Sequence, residues 1–252
     1  MVKALMRGCN GRMGQMISSI AKDTDGIEIT AGVDLFDGIR NDYPVFKSVE
    51  DVNVDFDVII DFSKADDTMD SLLDYCSANN KPIVLCTTGL SPKQLDKVSE
   101  TSKKVAVLRS ANMSLGINVL LKFLREISEK LAEQGFDIEI VEKHHNQKLD
   151  APSGTAVALG EACNEALGGE YEFVYDRSQR REKRPKKEIG FSAVRGGSIV
   201  GEHDVIFAGQ DEVITLSHSA YSRSVFGKGA VAAAMFLSTQ GPGLYDMSDV
   251  IG

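Results

Sequence analysis

The stretch Val2–Gly14, VKALMRGCNGRMG, decides the fold of the first half of this chain. It begins with a short, mostly apolar strand candidate at 2–7, and glycines follow at positions 8, 11 and 14. Beyond them, apolar residues recur at helical spacing, as at Met16, Ile17 and Ile20. A strand, a glycine-rich turn and a helix in this order are the context that a dinucleotide-binding fingerprint requires. Two glycines would let the backbone approach a pyrophosphate, and the third would let the helix pack near the strand.

The glycines are spaced G-x-x-G-x-x-G, so a glycine turn without a ligand is an alternative on the motif alone. Asp34 follows the next strand candidate, twenty residues after the third glycine, where a ribose-binding carboxylate is expected. A surface aspartate at a strand end is the other interpretation. Leu35 and Phe36 come next instead of arginine, which favours NADH over NADPH, although Arg12 and Arg40 could still supply a phosphate clamp.

Short apolar strands and helices alternate through the rest of this half. Strands are predicted at 27–33, 57–61, 82–85 and 105–108, and helices at 65–78 and 91–102. The alternation predicts a parallel, doubly wound sheet, in which ligands bind at the carboxyl ends of the strands. The loops at those ends include Asp61-Phe62-Ser63, Cys86–Gly89 and Ala111–Met113.

The pattern changes after residue 114. A long amphipathic helix is predicted at 115–134, a strand at 136–141, and a second helix from just after Ser153 to about 167. Strands at 190–194, 198–200, 202–207 and 212–218 predict an open, largely antiparallel sheet, and a last helix covers 225–237. The fold class is therefore α/β: a Rossmann-like doubly wound sheet plus an α+β domain with an open mixed sheet.

The segment Glu142–Ala156, EKHHNQKLDAPSGTA, is a dense polar segment. His144 and His145 are adjacent on an extended strand, so their side chains should diverge, which argues against a shared metal ion. Lys148 supplies a compact cation and a transferable proton. Ser153 or Thr155 can cap the following helix, and a capped helix start without a ligand is the plainer interpretation. A cation close to a helix N-terminus also suits a ligand with two carboxylates.

Composition restricts the classes of function. The net charge of −9 argues against bulk nucleic-acid binding, although 177–187 carries seven basic residues and one acidic one. A solvated, mobile loop is the favoured interpretation of that segment. The apolar runs are too short for a membrane span, and no secretory signal is recognised. Four cysteines without C-x-x-C spacing favour a reduced, cytoplasmic location. His203 and His218 lie on predicted strands and are interpreted as structural residues.

Seven motifs along nearly the whole chain resemble those of the 4-hydroxy-tetrahydrodipicolinate (dihydrodipicolinate) reductase family. They are GCNGRMGQ at 8–15, VIIDFS at 58–63, TTG at 87–89, SANMSLGIN at 110–118, EKHHNQKLDAPSGTA at 142–156, RGGSIVGEHDVIF at 195–207 and HSAYSRSVFGKGA at 218–230. The resemblance implies reduction of a cyclic dicarboxylate by NADH or NADPH, with loss of water. It also implies a dinucleotide-binding domain at 1–114 and 223–252, and a substrate-binding domain at 115–222 that builds a homotetramer.

The same resemblance assigns site residues. His144 would be the catalytic histidine and Lys148 the proton donor. Substrate contacts are expected from His145, Lys148, Ser153, Gly154, Thr155, Thr88 and Arg223. Cofactor contacts are expected from Gly8, Asn10, Gly11, Arg12, Met13, Asp34, Phe62, Cys86, Thr88, Gly89, Ala111, Asn112 and Met113.

Three departures from the family pattern affect cofactor choice and affinity. Gln147 stands where the family often has a basic residue, and Cys86 stands where it commonly has a small one. Leu35 and Phe36 replace the basic residue that assists NADPH in some members. Two alternatives stay open from the sequence: a two-domain dehydrogenase acting on a sugar or amino acid, and an NADH-sensing regulator that binds nucleic acid through 177–187.

Overall fold

A computed structural model describes residues 1–36, 38–110 and 112–252. The chain divides into two compact units, the first formed by Met1–Leu115 with Ser224–Gly252 and the second by Gly116–Arg223. The sequence-based boundaries follow residues 114 and 222. The binding roles given to the two parts stay predictions. Among the described residues, no helix combines the length and the apolar character that a membrane span needs.

The first unit is built on a parallel sheet of seven strands. The strands are β1 (Val2–Arg7), β2 (Ile27–Val33), β3 (Val45–Phe46), β4 (Val58–Asp61), β5 (Ile83–Leu85), β6 (Ala106–Leu108) and, late in the chain, β12 (Gly243–Tyr245). Their order is β12-β6-β5-β4-β1-β2-β3, and every pairing between neighbours is parallel. This confirms the predicted doubly wound sheet.

Helices cover both faces of that sheet. They are α1 (Arg12–Lys22), α2 (Thr68–Asn79), α3 (Pro92–Ser102), α6 (Ser224–Leu237) and α7 (Met247–Ile251). In β1, Ala4 and Met6 belong to one apolar cluster and Leu5 to the other, and all three side chains are fully buried. A strand buried on both faces needs an unbroken apolar run, which is why 4–6 and 58–60 lack polar alternation.

The second unit is a five-stranded sheet with helices on one face. Its elements are α4 (Leu115–Glu133), β7 (Asp137–His144), α5 (Gly154–Ala166), β8 (Glu172–Val174), β9 (Glu188–Arg195), β10 (Gly201–Ala208) and β11 (Val213–Ala220). The order is β11-β10-β7-β9-β8. Ile138, Ile140, Val205 and Phe207 point to one face and pack with apolar residues of α4 and α5.

Two predictions about this unit are wrong. The sheet is mixed, which confirms the predicted fold class, but it is not largely antiparallel, because β7 pairs in parallel with β9 and β8 in parallel with β9, against two antiparallel pairings. Residues 198–200 form no strand, since Gly197 takes a left-handed φ of +49° and turns the chain before β10. The sequence does not predict β3, β8, β12 or α7, which are short elements.

The basic segment 177–187 is held against the second sheet rather than solvated throughout. Arg177 contacts Glu139 at 2.9 Å and Glu188 at 3.2 Å. Arg184 adds bonds to Asp137 at 2.7 Å and Glu139 at 2.9 Å. The interpretation as a solvated, mobile loop is wrong for these arginines, because the carboxylates of β7 and β9 neutralise them.

Candidate active site

The glycine turn after β1 is shaped by close approach of main-chain atoms. Gly8 has a φ of +79°, and a Cβ there would lie 2.6 Å from the carbonyl oxygen of Phe62. A Cβ on Gly14 would lie 2.1 Å from the carbonyl oxygen of Gly8, so α1 packs against the turn that follows β1 too closely for a side chain at this position. Gly11 is the N-cap of α1, and within the described residues no side chain caps that helix end. The first N–H groups of α1 therefore suit an anionic ligand.

Asp34, directly after β2, stabilises this turn through hydrogen bonds. Its carboxylate accepts hydrogen bonds from the backbone N–H of Asn10 at 2.9 Å and of Phe36 at 3.0 Å. Asn10 is buried, donates to the Phe36 carbonyl and accepts from Asn41 at 2.7 Å. The hydrogen bonds of the Asn10 side chain therefore stabilise the loops around the glycine turn. Leu35 and Phe36 are 77% and 60% exposed, so the surface beside the carboxylate is apolar.

A buried carboxylate joins the carboxyl ends of three neighbouring strands. Asp61 is fully buried and accepts hydrogen bonds from Arg7 at 2.8 Å, Ser63 at 2.7 Å and Thr87 at 2.6 Å. These bonds fix the loops that follow β1, β4 and β5. Thr88 and Gly89 come next, and both are exposed at this edge of the sheet, Gly89 with a φ of +78°.

The other predicted cofactor residues differ in environment. Arg12 is exposed at the first position of α1, and Met13 and Phe62 are half-buried. Cys86 is half-buried, and burial together with the charge of Asp61 raises the pKa of its thiol well above the usual value. The Met113 side chain lies in the core of the first unit. The Asn112 side chain accepts from the Ser114 N–H at 2.8 Å, and Ala111 lies outside the described residues.

In the second unit, the alternation of β7 separates the two histidines as predicted. Residues 138, 140, 142 and 144 are buried, whereas Lys143 is only half-buried on the opposite face. His144 is 8% exposed at the end of the strand, and His145 is half-buried just beyond it. Among the described residues there is no cluster of three or more acidic, histidine or cysteine side chains that could hold a metal ion.

Glu142 is the centre of the buried polar cluster in this unit. Its side chain is 1% exposed and makes a two-pronged ion pair with Arg195, with both distances 2.7 Å. It also bonds His144 Nδ1 at 2.5 Å and accepts the Ser153 N–H at 3.0 Å. Burial raises the pKa of Glu142, but the bonds from Arg195, His144 and Ser153 outweigh burial and lower it overall. The carboxylate is therefore ionised at neutral pH.

The imidazole ring of His144 packs against that of His203. Its ring and that of His203 meet edge to face, with centroids 5.1 Å apart. Burial lowers the pKa of His144, and the bond to Glu142 offsets this only in part. Burial also lowers the pKa of His203, to about 4, so His203 is neutral at physiological pH. A Cβ on Gly201 would lie 3.1 Å from His144 Nε2, so glycine leaves room beside that nitrogen.

Lys148 lies close to the N-terminus of α5. Its Nζ contacts the Asp150 carboxylate at 2.9 Å, and its side chain is 23% exposed. The hydrogen bond from Lys148 lowers the pKa of Asp150, and the Gly154 N–H contributes in the same direction. The charge of Lys148 also lowers the pKa of His144, so the two groups share one electrostatic environment. A carboxylate is thus already held between this lysine and the start of the helix.

The predicted helix-cap residues divide into two kinds. Ser153 is the N-cap of α5: its hydroxyl accepts the Ala156 N–H at 3.1 Å and bonds His203 Nε2 at 3.0 Å. Because Ser153 is 2% exposed, its hydroxyl serves this buried network. Gly154 is exposed and Thr155 half-buried at the first two helical positions. They are the residues of this group that an external carboxylate can approach.

Comparisons with known proteins match both units of the chain. The family model described as the N-terminus of dihydrodipicolinate reductase matches residues 2–113, and the model of its C-terminus matches 116–251. The chain is 50% identical to the 4-hydroxy-tetrahydrodipicolinate reductase of Caldanaerobacter subterraneus subsp. tengcongensis over 100% of this chain and 98% of that protein. The enzyme of the same name from Clostridium novyi is also 50% identical, with the same coverage.

The chain belongs to the dihydrodipicolinate reductase family. This confirms the resemblance seen in the motifs and makes the chain a member of a family of oxidoreductases that use NADH or NADPH.

Solved structures agree on the fold. A dipicolinate-bound dihydrodipicolinate reductase from Paenisporosarcina sp. TG-14 superimposes with a TM-score of 0.80 at 24% identity, covering 98% of this chain and 97% of that one. A probable dehydrogenase from Thermotoga maritima gives 0.62 at 14% identity, covering 99% and 92%.

Within this reductase fold, two residues near His144 carry no predicted role. The sequence does not identify Glu142 and Arg195 as site residues. The alternation of β7 puts Glu142 on the same buried face as Ile138 and Ile140. A carboxylate buried there needs a partner of opposite charge, and this was the available signal. Arg223 is exposed as the last residue of the second unit, and its predicted substrate contact stays a prediction. Gln147 is exposed and donates to Asn146 at 3.0 Å.

Proposed function

We propose that this chain reduces 4-hydroxy-tetrahydrodipicolinate to tetrahydrodipicolinate with NADH or NADPH. Substrate, reduced cofactor and one proton would give the tetrahydro product, oxidised cofactor and water, a step in the synthesis of diaminopimelate and lysine. The observation that supports it most directly is the carboxylate of Asp150 held by Lys148 at the start of α5. A dicarboxylate presents the same group to the same cation and helix end.

The glycine turn and Asp34 fit a dinucleotide. The cradle formed by Gly8 and Gly14 leaves no room for side chains, and the end of α1 is open to an anion. Asp34 would accept a hydrogen bond from a ribose hydroxyl. Thr88 and Gly89 are exposed at the same edge of the sheet. When bound, a reduced nicotinamide supplies the hydride. We assign cofactor binding to the first unit and substrate binding to the second.

The residues of the second unit would supply orientation and the proton. Gly154, Thr155 and Lys148 would bind a substrate carboxylate, with His145 and Arg223 as further contacts. The carbon next to the one that receives the hydride gains electron density and must be protonated, and Lys148 is the group we assign to that transfer. His144 would stabilise the developing charge. His144 and Lys148 thus form the catalytic pair of the proposal.

A coupled assay tests the function and the cofactor choice together. The synthase product is added, and oxidation of NADH and NADPH is followed in parallel. We expect reduction with both and a higher kcat/KM with NADH, because a 2′-phosphate would meet the Asp34 carboxylate and the apolar side chains of Leu35 and Phe36. Pyridine-2,6-dicarboxylate should inhibit. No oxidation of either cofactor would contradict the function, and a preference for NADPH would contradict only the cofactor assignment.

We further propose a homotetramer assembled through the sheet of the second unit, in the cytoplasm. Val213 and Val194 are 62% and 45% exposed on strands of that sheet. Light scattering after gel filtration should give about four times the chain mass of 27.3 kDa. A mass of one chain would contradict the assembly. The free cysteines, three of them buried, suit a reducing compartment.

A further inference from the structure

We propose that Glu142, clamped by Arg195, is a positioning residue that fixes the orientation and the tautomer of His144. The inference rests on the proposed function, because His144 is the group that would act on the substrate. It adds two residues to the site that hold the catalytic histidine without touching the substrate.

The Glu142 carboxylate cannot rotate freely. One oxygen accepts Arg195 Nη2 at 2.7 Å and the Ser153 N–H at 3.0 Å, and the other accepts Arg195 Nη1 at 2.7 Å and bonds His144 Nδ1 at 2.5 Å. Two-pronged arginine–carboxylate pairs fix geometry as well as charge. A fully ligated carboxylate at 1% exposure is therefore a rigid support for the imidazole ring.

Arg195 connects this support to the segment that carries the lysine. It lies directly opposite His144 in the parallel pairing of β9 with β7. Its Nη2 also donates to the Asp150 carbonyl at 2.5 Å, and its Nη1 to the Val194 carbonyl at 2.8 Å. Asp150 in turn contacts Lys148. The Arg195 guanidinium thus binds both the carboxylate of Glu142, which contacts His144, and the main-chain carbonyl of Asp150, the residue that contacts Lys148.

The carboxylate decides which nitrogen of His144 carries the proton. An ionised Glu142 can only accept, so Nδ1 bears hydrogen and Nε2 is the acceptor in the neutral ring, or the second donor in the charged ring. Nε2 lies beside Gly201, where a Cβ would come within 3.1 Å. The nitrogen that can exchange a proton or stabilise charge is therefore Nε2.

The charged and titratable groups around His144 come from four parts of the chain. They are Glu142 on β7, Arg195 on β9, His203 on β10 and Lys148 in the following loop. Burial lowers the pKa of His144, the carboxylate raises it, and the two cations lower it. Removing the carboxylate charge leaves only influences that disfavour the imidazolium, so the histidine should then titrate at lower pH.

The test compares Glu142→Gln with Glu139→Gln. Both residues lie on β7 and pair with arginine, but Glu139 contacts Arg177 and Arg184 on the other face. Nitrogen-15 NMR of the imidazoles, assigned with His144→Gln, follows the tautomer and titration of His144 in the ligand-free protein. We expect Glu142→Gln to lower the pKa of His144 and mix its tautomers, and Glu139→Gln to change neither. An unchanged His144 titration in Glu142→Gln would overturn the proposal.

Kinetics give a second readout. Loss of a residue that orients a catalytic group typically costs about 10- to 100-fold, and we expect this in kcat for Glu142→Gln with KM little changed. In a His144→Gln background the same substitution should cost almost nothing further, because it acts through His144. Full additivity of the two losses would contradict the inference.

Arg195→Lys keeps the inference testable if Glu142→Gln does not fold. It retains the cation but loses the two-pronged bond, so the carboxylate, although still ionised, can rotate away from Nδ1 and mixed His144 tautomers are expected. A wild-type tautomer in that variant would overturn the role of Arg195. The NMR readout needs no substrate, so it separates failure of this inference from failure of the proposed reaction. A chain that reduces no substrate but shows the His144 response refutes the function only.

Discussion

Replacing Lys148 with alanine is expected to lower turnover by about 10² or more, the usual scale for loss of a general acid. Lys148 contacts Asp150 at 2.9 Å and contributes to the electrostatic environment of His144. Without it, the carbon that gains electron density must be protonated by water, and one cation is lost from the substrate site. The effect should be on kcat and on substrate KM, because the predicted cofactor residues belong to the first unit. Steady-state kinetics with NADH, together with a fluorescence titration of NADH, measure both.

Lys143→Ala is the matched control for this experiment. Lys143 lies five residues earlier and points to the face of β7 opposite His144. It pairs with Glu202 at 3.0 Å and with Asp204 at 3.5 Å. Its removal also deletes one positive charge, so it accounts for any general field effect. We expect near-wild-type turnover from it. Turnover within a few-fold of wild type in Lys148→Ala, or an equal loss in both variants, would remove the proton-donor assignment.

The regular elements of the first unit could be predicted because its strands are buried on both faces. An unbroken apolar run such as 58–60 between polar loops leaves few alternatives. The same reasoning does not find β3 or β12, which have two and three residues. They are strands because they pair with β2 and β6, and the local sequence does not show those pairings. It also misplaced 198–200, because β-branched residues there favour a strand while the turn at Gly197 prevents one.

The candidate site was predictable only where neighbours in sequence make it. The divergence of His144 and His145 follows from strand geometry alone. The pair of Glu142 with Arg195 joins positions 53 residues apart and depends on the register of β7 against β9, which composition and periodicity do not contain. Likewise the Ser153 hydroxyl was expected to face a ligand, but His203 from another strand engages it. Long-range register, rather than local pattern, decides which polar groups remain for a substrate.

Replacing Gly14 with alanine is expected to destabilise the first unit and to abolish tight NADH binding. The new methyl group would lie 2.1 Å from the Gly8 carbonyl oxygen and 2.7 Å from Cys9 Cα. Both are main-chain atoms that cannot rotate away, and Gly8 already has a left-handed φ of +79°. Overpacking of this kind costs about 3 kcal/mol, which corresponds to a fall in Tm of roughly 6–12 °C for a chain of this size. Thermal unfolding and NADH titration provide the measurements.

Gly11→Ala distinguishes the fold requirement from the ligand requirement in the same motif. Its φ of −74° is open to any residue, and the nearest atom to a new Cβ is the Gly8 carbonyl oxygen at 3.3 Å. Loss of a glycine N-cap costs at most about 1 kcal/mol, so Tm should move little. NADH affinity should nevertheless fall, because the methyl group stands at the open end of α1 where the pyrophosphate is proposed to bind. Wild-type Tm in Gly14→Ala would contradict the packing argument, and wild-type NADH affinity in Gly11→Ala would contradict the placement of the pyrophosphate. The two glycines therefore separate what the turn needs in order to fold from what it needs in order to bind.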